Sequence, residues 1–133
     1  MQRFLPVLMA LVFLLLSTVG WRTGVKPSIS IMTRGVNAYL RGNYATALRQ
    51  FKPLAEKGGH AWAQYQLGVM NHLGRGVPKN RVYSHMWYNI AALKGHKNSL
   101  RRRDLMATEM APSQIDESQD LAIECEKKKY KGC

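Results

Sequence analysis

Side chains suited to acid–base, nucleophilic or metal chemistry are few in this sequence and widely spaced. The histidines lack the close pairing with cysteine or carboxylate ligands that zinc sites show; they are His60, His72, His85 and His96. No serine or cysteine has a spacing to a histidine and a carboxylate that indicates a catalytic nucleophile. The sequence therefore predicts a non-enzymatic protein with no metal ion and no cofactor.

The sequence contains two cysteines, Cys125 and Cys133, which could form a disulfide. An isolated pair of cysteines usually forms a disulfide in an oxidising compartment, and Gly132 eases the chain reversal that would bring them together. We predict a bridge that ties the tail at residues 129–133 back onto the last helix. A free pair and a redox or metal role are the alternatives, although the gap is wider than that of a C-x-x-C redox motif.

Positive charge is concentrated in the first two-thirds of the chain. The formal net charge is +12, and residues 21–93 hold ten basic residues against a single acid, Glu56. This asymmetry favours anionic partners, although it can also serve solubility alone. The candidate anion-binding residues are basic positions with almost no acidic neighbour in sequence: Arg34, Arg41, Arg75, Lys79 and Arg81.

Residues 4–19 form an unbroken apolar run behind Arg3 and ahead of Gly20. The pattern is typical of a secretory signal peptide, and the run is shorter than the roughly 20 residues that a spanning helix prefers. We predict a signal peptide at residues 1–20 that is cleaved near Gly20, which makes the protein periplasmic or secreted. A membrane anchor at residues 4–19 and a buried helix are the alternatives.

The elements that must position these side chains are helices. After a predicted linker at residues 21–30, apolar residues recur every three or four positions, which indicates amphipathic helices. We predict three helix pairs within a domain at residues 31–128: about 31–41 with 44–57, 61–73 with 81–94, and 99–110 with a helix from 113. Pro53 predicts a kink or a restart near Lys52. Asn80 is expected to cap the fourth helix, and Ser113 the sixth.

The pairs repeat along the chain. Ala47 and Ser84 are 37 residues apart, as are Gly58 and Gly95, and the third pair follows the pattern only weakly. The central pair carries the most regular set of small, aromatic and turn residues: Ala63-Gln64-Tyr65, Leu67-Gly68, Gly74, Gly76-Val77-Pro78, Trp87-Tyr88, Ala91-Ala92 and Gly95.

On these residues the chain resembles the Sel1-like repeats, which are relatives of the tetratricopeptide repeat. The first pair is also similar to the family and the third only distantly, so the resemblance covers roughly residues 35–122. The sequence departs from the usual pattern at Asn71, Asn80 and Ser84. The resemblance implies an all-α solenoid, a right-handed superhelix of about three antiparallel helix pairs. It also implies an adaptor that binds proteins and catalyses no reaction.

In this family the first helix of each pair lines a concave groove. On that helix of the central pair, four residues step by three and four positions along one face: Trp62, Tyr65, Val69 and His72. We expect them to contact a protein partner, with ordinary packing as the alternative. We assign Trp87 and Tyr88 to the core between helices.

These observations predict an exported, non-catalytic adaptor that binds a protein partner of unknown identity. The alternative is an electrostatic binder of an anionic envelope polymer, a lipid surface or nucleic acid. The sequence leaves the oligomeric state open. The salt dependence of binding distinguishes the two. Affinity for a polyanion falls steeply as the salt concentration rises, whereas a partner protein bound in the groove keeps most of its affinity.

Overall fold

A computed structural model describes residues 26–133, which are helical throughout apart from the turns and the tail. The helices are α1 (Pro27–Leu40), α2 (Tyr44–Glu56), α3 (Ala61–Leu73), α4 (Arg81–Leu93), α5 (Lys97–Ala107) and α6 (Pro112–Lys127). Six helices without a strand in this part of the chain confirm the predicted all-α repeat fold. The signal peptide predicted at residues 1–20 lies outside the described residues. None of the six helices is long and apolar enough to cross a membrane.

Proline and capping side chains set where several helices begin. Helix α1 starts at Pro27, so residues 27–30 are helical and not part of a linker as predicted. A proline fits the first helical position because its missing N–H is unpaired there in any case. Asn80 caps α4 as predicted: its Oδ1 accepts from the Tyr83 N–H at 3.0 Å.

The last two helices begin earlier than predicted. His96 caps α5 because its Nδ1 accepts from the Ser99 N–H at 3.2 Å, and the helix therefore begins at Lys97. Helix α6 begins at Pro112, where Gln114 Oε1 accepts from the Ala111 N–H at 3.0 Å. The cap predicted at Ser113 is therefore wrong by two positions.

Helix α2 runs through Pro53 without a break, so the restart that we allowed for near Lys52 does not occur. The proline lies in the last turn, where the loss of one backbone hydrogen bond leaves the preceding turns intact. Phe51, Leu54 and Ala55 are buried around it. Their burial holds this turn against α1 and α3.

Consecutive helices pack against each other from α1 to α5, whereas α6 packs mainly against α4. The third pair therefore differs from the first two, in which partner helices are direct neighbours. Small buried residues on α6 allow this close approach: Ser118, Ala122 and Cys125. Trp87 and Tyr88 on α4 are 2% and 1% exposed, which confirms that they belong to the core.

Three buried hydrogen bonds tie neighbouring helices together. Gln64 Nε2 donates to the Ala55 carbonyl at 3.2 Å, joining α3 to α2. Ser84 Oγ donates to the Gly68 carbonyl at 2.7 Å, joining α4 to α3. His85 and Ser118 form the third link, between α4 and α6, at 2.7 Å. Since a buried polar group without a partner is costly, these bonds favour one alignment of each helix pair over shifted ones.

Candidate functional site

The four residues predicted to bind a partner lie on one face of α3 and are all half-buried. The structure does not bring them together as one site. Trp62, near the start of the helix, faces α1 and α2. Tyr65 and Val69 pack on a small core below α5, and His72 lies among basic side chains at the other end.

Trp62 lines an apolar groove between α1 and α3. The groove encloses about 220 Å³, and the Trp62 ring meets the Phe51 ring edge-on with centroids 5.4 Å apart. On the α1 side, Val36 and Tyr39 form the wall. Leu40 stands at the rim and is 77% exposed, more than any other large apolar residue of the described chain.

Sequence reasoning missed the α1 side of this groove. Ile29, Val36 and Leu40 follow each other by seven and four positions, which places them on one face of a helix. Ile29 is 52% exposed, so this face carries two large apolar side chains open to solvent. The signal was present in the sequence, but Ile29 fell in the segment that we predicted to be a linker.

Tyr65 and Val69 pack inside the protein, which was the alternative to partner binding for this face of α3. Both lie against a second core formed by Tyr88, Met106 and Met110. The Tyr65 ring centroid is 5.7 Å from that of Tyr88. Burial raises the pKa of Tyr88 to about 12, so its phenol stays protonated at physiological pH.

His72 is surrounded by more positive than negative charge. Burial is the largest cause that lowers its pKa, followed by the charge of Arg102, while Glu109 opposes the shift. The imidazole is therefore neutral at physiological pH. The ring therefore adds no positive charge of its own to that of the neighbouring basic side chains.

The five candidate anion-binding residues are also dispersed. Arg75 Nη1 donates to the Tyr39 hydroxyl at 2.7 Å, and its guanidinium lies 5.3 Å from the centroid of the Tyr44 ring. Arg81 pairs with Glu109, with Nη2 and Oε2 at 3.9 Å. Lys79 is exposed.

Arg34 and Arg41 are the two members of the set that share a concavity. They line a polar cleft of about 330 Å³ on the opposite side of α1 from the groove. The other lining residues are small or uncharged: Asn37, Ala38, Asn43, Thr46 and Gln50.

The disulfide prediction is confirmed, because the Sγ atoms of Cys125 and Cys133 lie at bonding distance, 2.06 Å. The tail does more than close on its own helix. The Tyr130 ring lies 4.1 Å from the Lys94 ammonium, and Lys94 also donates to the Gly59 carbonyl. The tail therefore reaches the turn between α2 and α3 as well as the end of α4.

Within residues 26–133, no three His, Cys, Asp or Glu side chains lie close enough together to hold a metal ion. His85, the most buried histidine, is hydrogen-bonded to Ser118 and lies in the core. Its surroundings are those of a structural residue.

Comparison with known proteins agrees with this architecture. Residues 63–96 match the family model described as the Sel1 repeat, and no curated protein or solved structure matches the chain. The matched segment covers almost all of α3, all of α4 and the turn to His96. Such repeats typically mediate contacts between proteins and are non-catalytic. The match therefore shows one Sel1 repeat, at residues 63–96, and the helix pairs on either side of it extend the same all-α architecture.

Proposed function

We propose that this protein is an exported adaptor that binds a segment of a partner protein in the groove between α1 and α3. The observation that carries the proposal is the exposed apolar rim of this groove, with Leu40 at 77% exposure beside the half-buried Trp62. Adjacent exposed apolar side chains are a common mark of interaction sites. Tryptophan is enriched among the residues that dominate binding energy.

The composition of the groove favours a protein segment over a charged ligand. Its lining residues are apolar or aromatic apart from Gln66 and the Tyr39 hydroxyl. An apolar side chain of a partner would displace water from Trp62 and Leu40, while Gln66 can accept or donate one hydrogen bond. Of the four predicted contact residues, we retain Trp62 as a contact with the partner. We assign Tyr65 and Val69 to the packing of α3 against the second core.

Two features support export. The apolar run at residues 4–19 has the pattern of a signal peptide, and the disulfide between Cys125 and Cys133 is typical of an oxidising compartment. An adaptor in such a compartment would meet partners in the cell envelope or outside the cell.

Replacing Trp62 by alanine tests the groove. We expect the partner's dissociation constant to rise by about tenfold or more, because a central tryptophan often contributes 2 kcal/mol or more to binding. Titration of the partner captured by the wild-type protein measures the effect, and the helical circular dichroism signal reports whether the fold persists.

The matched control is Ile123→Ser, which changes an apolar residue of α6 that is 52% exposed and remote from the groove. This variant should bind as the wild type does. Equal affinity of the Trp62→Ala variant and the wild type, with the fold intact, would reject the groove as the binding site.

A second candidate function is binding of an anionic polymer at the cleft that contains Arg34 and Arg41. What favours it is that both arginines line one polar cleft whose other lining residues include no acid. Binding there should weaken steeply as salt rises, because counterions are released from the polymer. Replacement of both arginines by glutamine should reduce that salt dependence and leave binding in the groove unchanged.

A further inference from the structure

A second cleft lies between α2, α3 and α4, on the opposite side of α3 from Trp62. It encloses about 130 Å³, with an apolar wall from Leu48, Leu67 and Val77. Tyr83 and Trp87 are the aromatic members of its lining, and Cys133 brings the disulfide-bonded tail to its edge. This volume accommodates a small group rather than a protein surface.

The cleft holds a buried carboxylate oxygen that lacks a hydrogen bond. No group among residues 26–133 donates a hydrogen bond to Glu56 Oε1, although the atom is inaccessible to solvent. The Lys52 ammonium lies 3.4 Å away and forms an ion pair, with the lysine side chain 54% exposed against 15% for Glu56. A buried carboxylate oxygen without a donor is unfavourable. A group that donates a hydrogen bond to this oxygen would therefore stabilise the site.

The lining indicates the chemistry of that donor. A metal ion is not favoured, because Glu56 stands alone and no three-residue ligand set is found in the described part of the chain. A primary alkylammonium group fits both the polar part of the cleft, at Glu56 and Asn71, and its apolar wall. Its nitrogen carries three donors for the carboxylate and for Asn71, its alkyl stem suits the apolar wall, and aromatic faces attract a cation.

We propose that this cleft binds a primary alkylammonium group through Glu56. Lys52 is the internal competitor, since it offers the same chemical group to the same oxygen. The ion pair between Lys52 and Glu56 is partly exposed, and such pairs contribute little to stability, so an incoming ammonium can replace it. The remaining positive charge of the protein is screened beyond about 8 Å at physiological salt.

Nuclear magnetic resonance titration of the exported, disulfide-bonded protein with n-butylammonium chloride tests the proposal. We expect the indole N–H signal of Trp87 to shift with a dissociation constant on the order of 1–10 mM, as suits so small a ligand. The indole signal of Trp62, on the other side of α3, should not move. Butan-1-ol, which has the same stem without the charge, should leave both signals in place.

Two variants have opposite expected effects. Glu56→Gln should weaken binding by about tenfold or more, while Lys52→Met should strengthen it about threefold by removing the competitor. Glu109→Gln, a change at an exposed acid, is the control and should bind as the wild type does. If Glu56→Gln fails to fold, the Lys52→Met result decides alone. Equal affinities of the Lys52→Met variant and the wild type, or an equal response to butan-1-ol, would overturn the proposal.

A further comparison distinguishes the two sources of such a group, a lysine of a partner protein and a small free amine. A short peptide with one lysine is titrated beside its Nε-acetylated form. Tighter binding of the free-lysine peptide than of butylammonium assigns the site to a lysine of a partner, and equal binding assigns it to small amines. Equal binding of the acetylated peptide would contradict an ammonium site. Neither result depends on the groove between α1 and α3, which is tested with Trp62.

Discussion

His85 and Ser118 show how single buried polar residues decide which helices meet. His85 is 3% exposed and Ser118 is fully buried. The Ser118 hydroxyl donates its one proton to the Ile115 carbonyl at 2.7 Å, so it accepts from the Nδ1–H of His85. This assigns the tautomer and ties α6 to α4. The sequence marked Ser118 only as a residue small enough for close helix packing, and its pairing with His85 could not be predicted because the contact joins distant parts of the chain.

Burial is the largest cause that lowers the pKa of His85 below the ordinary value of 6.5, and the charge of Arg103 lowers it further. As pH falls below about 6.5, the His85 imidazole therefore binds a proton more readily in the unfolded chain than in the folded one. The stabilisation is fully present above that pH and should be lost progressively as pH falls below it. Thermal unfolding at a series of pH values below 6.5 measures the loss.

Replacing His85 by asparagine should make the melting temperature depend less steeply on pH. The comparison with the wild type is needed because burial also lowers the pKa of His72 and His96. His60→Asn, a change at a half-buried histidine, is the control. Equal pH dependence of the His85→Asn variant and the wild type would contradict this assignment.

At the scale of helices, small residues in the repeat set the closest approaches. A Cβ atom added to Gly68 on α3 would lie 2.5 Å from the Tyr88 ring on α4. The regular spacing of small residues in the central pair was enough to predict that α3 and α4 form a pair. The third pair was also predicted, but its weaker pattern did not show that α6 packs mainly against α4, where Ser118, Ala122 and Cys125 are buried.

Gly68→Ala should therefore lower the free energy of unfolding by about 1–3 kcal/mol, the usual cost of overpacking a core. Denaturant unfolding measures it. Combining Gly68→Ala with Tyr88→Leu removes the ring that the methyl group meets, so the double variant should lose less stability than the two single losses together. Strict additivity would show that the two residues are not coupled.

The tail acts as a connector between elements. Tyr130 adopts a positive φ of 66°, a conformation that non-glycine residues rarely take. Its backbone N–H donates to the Cys125 carbonyl at 2.8 Å, and its ring lies against Gly59 and Lys94. The sequence predicted the disulfide from the isolation of its two cysteines, but not these contacts with the turn between α2 and α3.

Replacing both cysteines by serine should cost roughly 2–3 kcal/mol, as the chain-entropy description of a short loop gives. Denaturant unfolding of the double variant measures the loss, and the reduced wild-type protein should match it. Alkylation of the unreduced protein should find no free thiol. Two alkylated thiols, or an unchanged stability, would contradict the structural role of the bridge.

For the whole molecule, the two ends differ in charge and in exposed surface. Helix α6 carries a set of exposed acids, Asp116, Glu117, Asp120, Glu124 and Glu126. At the other end, α1 presents Ile29 and Leu40 to solvent beside the groove. Composition and periodicity predicted the fold class and the repeat. They could not locate the groove, because it depends on how α1 and α3 meet around Phe51.

Site-specific photocrosslinking in the producing cell tests the binding groove most directly. A photoreactive residue replaces Leu40 at the groove, or Ile123 on α6 as a control with similar chemistry. We predict one discrete adduct from position 40, identified by mass spectrometry as a protein, which weakens when Trp62 is also replaced by alanine. Adducts of equal yield from both positions, or an adduct at position 40 that is insensitive to Trp62, would contradict an adaptor that binds its partner between α1 and α3.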